Sequence, residues 1–128
     1  MASSAAAFAG PLAEELAQDV LERFLRYVEI DTQAEYRTAR RPSTEKQLEL
    51  SRMLVAELGE LGLADVELTE GSAVFAGLAG MNGAPVVGLI AHVDTTPDVV
   101  GAGVKPLVHV DWRGDPIVLP GDERQVLD

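Results

Sequence analysis

Leu16, Val20, Phe24 and Val28 recur at every fourth position, and Ala13, Ala17, Leu21 and Leu25 form a second row beside them. This spacing describes one face of an α-helix, and so wide an apolar stripe predicts a sheet or a second helix laid over it. Pro11 suits the first helical turn, and Glu14 and Glu15 stand where the helix dipole favours acids. The stripe reads as core rather than as a site. Residues 31–42 are polar, and their Arg37, Arg40 and Arg41 read as a solvated loop rather than an anion site. A second helix is expected after Pro42. Thr44 and Gln47 have the spacing of a capping box, with Ser43 an equally good cap. Leu50, Leu54, Leu58 and Leu61 make its buried face, and Gly62 ends it in a left-handed conformation with Leu63 packing back.

The period then changes from four to two. Residues 65–69 alternate, with Val66 and Leu68 apolar, as a half-buried strand does. Glu70, Gly71 and Ser72 predict a turn, and 73–79 a returning strand. After the turn signal Asn82-Gly83, residues 85–91 run Pro-Val-Val-Gly-Leu-Ile-Ala without a polar side chain. An uninterrupted apolar run of that length predicts a strand covered on both faces. Residues 107–112 and 116–119 read as a hairpin around Arg113-Gly114-Asp115. Two helices followed by a mixed sheet and a hairpin give an α/β fold class.

Composition narrows the function. The 128 residues carry 10 basic and 21 acidic side chains, a net charge of −11, which repels phosphate backbones and anionic lipid. Nucleic acid and membrane are therefore excluded as expected partners. With no cysteine there is no disulfide framework, thiolate zinc site or cysteine nucleophile, and a cytoplasmic location is expected. No apolar stretch nears the ~20 residues of a membrane span. Residues 1–10 lack the basic start of a signal peptide and read as a frayed extension.

The end of the apolar run holds the candidate chemistry. Ligands gather at the carboxyl ends of strands in open α/β sheets, and His92 follows the run directly. In extended backbone, residues two apart share a side, so His92 and Asp94 would face together while Val93 turns to the core. A carboxylate so placed accepts the spare imidazole N–H and strengthens the ring as a metal ligand. The tripeptide itself says little: His109-Val110-Asp111 repeats it inside an alternating stretch and reads as ordinary hairpin surface. The chain has no glycine-rich phosphate loop, Gly-x-Ser-x-Gly elbow or His-Glu-x-x-His motif. One convincing ligand is fewer than the three protein ligands of a catalytic zinc.

The string Gly-Leu-Ile-Ala-His-Val-Asp-Thr-Thr-Pro-Asp at 88–98 resembles the first metal motif of the di-zinc aminoacylase and carboxypeptidase family, in its tripeptide-aminopeptidase branch. Further likeness lies in Glu22-Arg23-Phe24-Leu25-Arg26-Tyr27-Val28, Asp31-Thr32-Gln33, Pro42-Ser43-Thr44-Glu45, Leu61-Gly62-Leu63 with Val66-Glu67-Leu68, Val104-Lys105-Pro106 and Gly121-Asp122-Glu123. The resemblance implies that residues 18–128 are the N-terminal part of a zinc-peptidase catalytic domain, with 1–17 an extension. It implies His92 as a ligand of one of two zinc ions and Asp94 as the catalytic-site aspartate that orients it. The implied substrate is a short peptide, typically a tripeptide, cut after its first residue by metal-activated water. The family's bridging aspartate, general-base glutamate and dimerisation or lid domain have no counterpart in these residues, so a homodimer belongs to the complete enzyme and this chain alone is expected to be inactive. A related deacylase or carboxypeptidase, and a non-catalytic α/β module, are the competing readings.

Overall fold

The computed structural model describes residues 10–110 and 112–128, so most of the expected frayed extension lies outside the described residues. Its elements follow in the order α1 (Pro11–Val28), α2 (Gln47–Glu60), β1 (Ala64–Leu68), β2 (Val74–Gly77), β3 (Ile117–Val118) and β4 (Val126–Leu127). The α/β class is borne out: two helices precede two small antiparallel sheets, β1–β2 and β3–β4.

Helix α1 begins at Pro11, as the missing N–H of proline favours. Its apolar stripe is only partly covered. Ala17, Leu25 and Val28 are half-buried, while Leu16, Val20 and Phe24 stay exposed. Polar groups hold it to α2. The Glu57 carboxylate accepts from Arg23 Nη1 and Arg26 Nη2, each at 2.7 Å, and from the Tyr27 hydroxyl.

Helix α2 does not start with the expected capping box. Lys46 occupies the cap position in helical conformation with no side-chain cap, because the two candidate caps are engaged elsewhere. Thr44 Oγ1 donates to the Gln33 carbonyl at 2.8 Å, and Ser43 Oγ accepts from Gln47 Nε2 at 2.8 Å. At the other end the expectation holds. Gly62 adopts φ +78, its N–H donates to the Gly59 carbonyl, and the Leu63 N–H reaches back to Leu58. The buried face of α2 is narrower than its leucine spacing suggests: Leu50 is buried, Leu54 and Leu58 are half-buried, and Leu61 is exposed.

The chain then forms the expected hairpin, pairing Glu67 with Phe75 and Leu68 with Val74. A bulge lies between Ala64 and Glu67, where Asp65 takes φ 51, a conformation aspartate tolerates better than most residues. The β1–β2 turn packs on α2 through Ser51 and Ser72, both buried. Besides Leu50, the buried set among the described residues is polar: Thr32, Gln47, Ser51 and Ser72. None of its buried side-chain polar atoms lacks a hydrogen-bond partner.

Two expectations fail here. Residues 85–91 form no strand and are open to solvent, with Val86 and Ile90 fully exposed. A central strand needs neighbours on both edges and cover on both faces, and among the described residues nothing pairs with this run. The second failure is the terminal hairpin. Ile117 and Val118 pair with Leu127 and Val126 rather than with 107–112, so the turn spans 119–125 instead of Arg113-Gly114-Asp115. The Asp115 carbonyl instead accepts the Trp112 indole N–H at 2.7 Å, which closes that stretch on itself.

Candidate metal centre

His92 follows the apolar run, and its position is set by what comes after it. Thr95 makes an isolated parallel bridge with Gln33: the Ala34 N–H donates to the Thr95 carbonyl at 2.9 Å, and the Thr95 N–H to the Thr32 carbonyl at 3.2 Å. The Gln33 amide donates to the carbonyls of Pro97 (3.2 Å) and Val99 (2.7 Å). Nearby, the Tyr36 hydroxyl lies 2.8 Å from both carboxylate oxygens of Asp98, which also accepts from Thr96 Oγ1. The phenol pKa is raised, first by that bond to Asp98 and then by burial. Residues 31–36 and 95–99 thus form one hydrogen-bonded joint.

Val93 is half-buried and, with Ala91 and His92, lines a cavity of about 330 Å³. Phe24, Tyr27, Val28, Thr32, Leu50 and Leu54 supply its other walls. His92 itself points outward, with 86% of its side chain exposed. Its Nδ1 lies 3.0 Å from the Asp94 carbonyl oxygen and 3.3 Å from the carboxylate Oδ1. Both neighbours of Nδ1 accept hydrogen bonds, so the neutral ring carries its proton there. Nε2 keeps its lone pair and faces solvent. The alternation expected of residues 92–94 is therefore present, with the two polar side chains together and the valine turned inward.

The donor set fits one part of a metal centre: an imidazole nitrogen free to coordinate, with the ring held at Nδ1 by the Asp94 backbone carbonyl and the Asp94 carboxylate beside it. It is not a closed site. Among the described residues no group of three His, Cys, Asp or Glu side chains could hold an ion. The second tripeptide cannot be compared in the same way, since Asp111 lies outside the described residues; His109 is exposed.

Sequence reasoning did not single out Gln33 or Tyr36 as neighbours of the motif. Gln33 lies 64 and 66 positions from its carbonyl partners, and Tyr36 lies 62 from Asp98. A loop glutamine followed by a loop tyrosine carries no periodicity that would reveal this.

No family model matches the chain. Individual proteins do. Peptidase T of Aliivibrio fischeri is 45% identical over 104 residues, covering 80% of this chain and 25% of the relative. Likeness at that level over four fifths of a chain is far beyond what a short metal motif produces. The chain is a homologue of peptidase T. Peptidase T of Shewanella sediminis is 44% identical over 107 residues (83% of this chain, 26% of the relative). Peptidase T of Clostridium acetobutylicum is 41% identical over 112 residues (86% and 28%). The chain thus spans about a quarter of the length of the peptidase T relatives it matches. Among the described residues no helix is long and apolar enough to cross a membrane.

Proposed function

We propose that this chain supplies part of the catalytic domain of a zinc-dependent aminopeptidase that releases the N-terminal residue from tripeptides. Likeness to proteins named peptidase T over four fifths of the chain carries this reading. The geometry of His92 agrees with it. In this reading His92 offers Nε2 as a metal ligand, while Asp94 holds the Nδ1 proton and so fixes the tautomer and raises the basicity of the ring. Zinc bound there would supply a polarised water and a Lewis acid for peptide hydrolysis. In this reading the remaining ligands and the general base would come from sequence outside these 128 residues. A cytoplasmic location and a homodimer of the complete enzyme belong to the same proposal.

The test compares this chain with a polypeptide extended to the full length of its relatives. Zinc is measured by elemental analysis, and turnover on tripeptides, dipeptides and acylated amino acids. The extended protein is expected to hold stoichiometric zinc and to prefer tripeptides, and the 128-residue chain to bind zinc weakly and hydrolyse nothing. Preference for acylated amino acids would shift the reading to a deacylase, and a full-length protein without bound metal would end it.

A further inference from the structure

Gln33 is tethered through its N–H, its carbonyl and its side-chain amide nitrogen. Its N–H donates to Asp31 Oδ1 at 3.0 Å, its carbonyl accepts from Thr44 Oγ1, and its side-chain amide holds the Pro97 and Val99 carbonyls. Asp31 is fixed in turn by Lys46 Nζ at 2.7 Å. The opposite side of the joint is equally close. A Cβ added to Gly101 would stand 2.9 Å from Asp31 Oδ1 and 3.3 Å from both Gln33 Cβ and Thr95 Oγ1. The chain therefore leaves Asp94 directly into a clamp, whereas the residues before His92 are free of pairing. The Nδ1 contacts of His92 depend on the path of the backbone at Asp94, and the hydrogen bonds that restrain that path lie downstream of it.

We propose that Gln33 is a positioning residue for the His92–Asp94 pair, holding residues 95–99 so that the Asp94 acceptors stay on Nδ1 and Nε2 stays free for a cation. The proposal rests on the reading of His92 as a metal ligand, but its first readout needs no metal. In ¹⁵N-labelled 128-residue chain, with the ring kept neutral by alkaline buffer, the His92 ring nitrogen shifts report which nitrogen bears the proton. The wild-type chain is expected to show the Nδ1–H form. Gln33→Met keeps length and removes both donors, and is expected to shift the ring toward the Nε2–H form. Gly101→Ala loads the same joint from the other side with the amide intact, and should shift the ring in the same direction. The amide signals of Ser51 and Ser72, which lie in the α2–hairpin contact, report that each variant is folded. A purely structural role for Gln33 would leave the tautomer of a folded variant unchanged.

Zinc titration of the same samples is the second readout, with affinity expected to fall about 10-fold in Gln33→Met. Folded variants that keep the wild-type His92 ring shifts overturn the proposal whatever zinc does. If zinc leaves the wild-type His92 signals unmoved, the metal reading falls, and the tautomer comparison still decides whether Gln33 positions the pair.

Discussion

Ser51 Oγ donates to the Ser72 carbonyl at 3.0 Å and lies 2.8 Å from Ser72 Oγ, joining α2 to the β1–β2 turn at a point sealed from solvent. Since the Ser51 proton goes to the carbonyl, the Ser72 hydroxyl donates back to Ser51 Oγ. Ser51→Ala deletes both bonds and strands two buried polar groups. The expected loss is about 1–3 kcal/mol, read from the urea midpoint at unchanged slope. A midpoint equal to wild type would mean that water replaces the serine at no cost.

Gly59 and Gly62, three residues apart, should respond to alanine with opposite signs. At either position an added Cβ meets nothing within 4 Å, so only the backbone decides. Gly62 has φ +78, where a Cβ strains against the following carbonyl, and Gly62→Ala should cost about 1–2 kcal/mol. Gly59 lies within α2, and Gly59→Ala should stabilise by about 0.5–1 kcal/mol. Equal shifts of the urea midpoint in both variants would contradict the left-handed helix end.

Acid should loosen α1 from α2 through Glu57. Burial raises the pKa of this carboxyl, but hydrogen bonds from Tyr27, Arg26 and Arg23 outweigh it, and the net shift is downward from 4.5. A depressed folded pKa means that the ionised form stabilises the fold. The contribution is complete above the unfolded value and is lost as pH falls through the folded one. Asp31, lowered by Lys46 and by the Gln33 N–H, acts in the same direction. Stability should be flat above the ordinary carboxylate range and decline below it. Glu57→Gln should reduce the acid-dependent part, as measured by urea melts across that range.

The elements with local causes were legible in the sequence. Pro11, the four-residue stripe, Gly62 with Leu63 and the alternation at 65–69 each specify their conformation through neighbours a few positions away. Residues 92–94 belong with them only in part: alternation puts His92 and Asp94 on one side, while the bonds that fix the segment just after them come from Gln33, more than sixty positions away. Failures occurred where distant partners decide. Thr44 is drawn from its capping role by the Gln33 carbonyl, and residues 116–119 pair with a strand further along rather than with the one before. For 85–91 the pattern names the environment that would suit the segment, but a run of apolar residues cannot supply its own neighbours.

The two residues of the candidate site should differ in severity. His92→Ala removes the coordinating nitrogen, so stoichiometric zinc and all turnover should vanish from the full-length enzyme. Asp94→Ala leaves the nitrogen and its bond to the residue-94 carbonyl but removes the carboxylate 3.3 Å from Nδ1, and should cost about 10–100-fold in metal affinity or activity. Metal content and kcat/KM measured side by side decide it. Equal zinc content in wild type and His92→Ala would refute the assignment.

Charge placed in the apolar run should have opposite consequences in two contexts. Val86, Leu89 and Ile90 are 95–100% exposed in this chain, so Ile90→Lys removes no packing. Its unfolding midpoint should stay within about 0.5 kcal/mol of wild type. The substitution should also keep the chain monomeric to higher concentration in sedimentation, because uncharged β-prone segments open to solvent are sites of association. On the proposed reading of this chain as part of a larger catalytic domain, residues 85–91 are expected to gain partners in a polypeptide extended to the length of the peptidase T relatives, and an ammonium group there would be buried without a counter-charge. The same Ile90→Lys should then prevent folding or cost several kcal/mol. A large midpoint drop already in the 128-residue chain would mean that these side chains are packed before any such partner arrives.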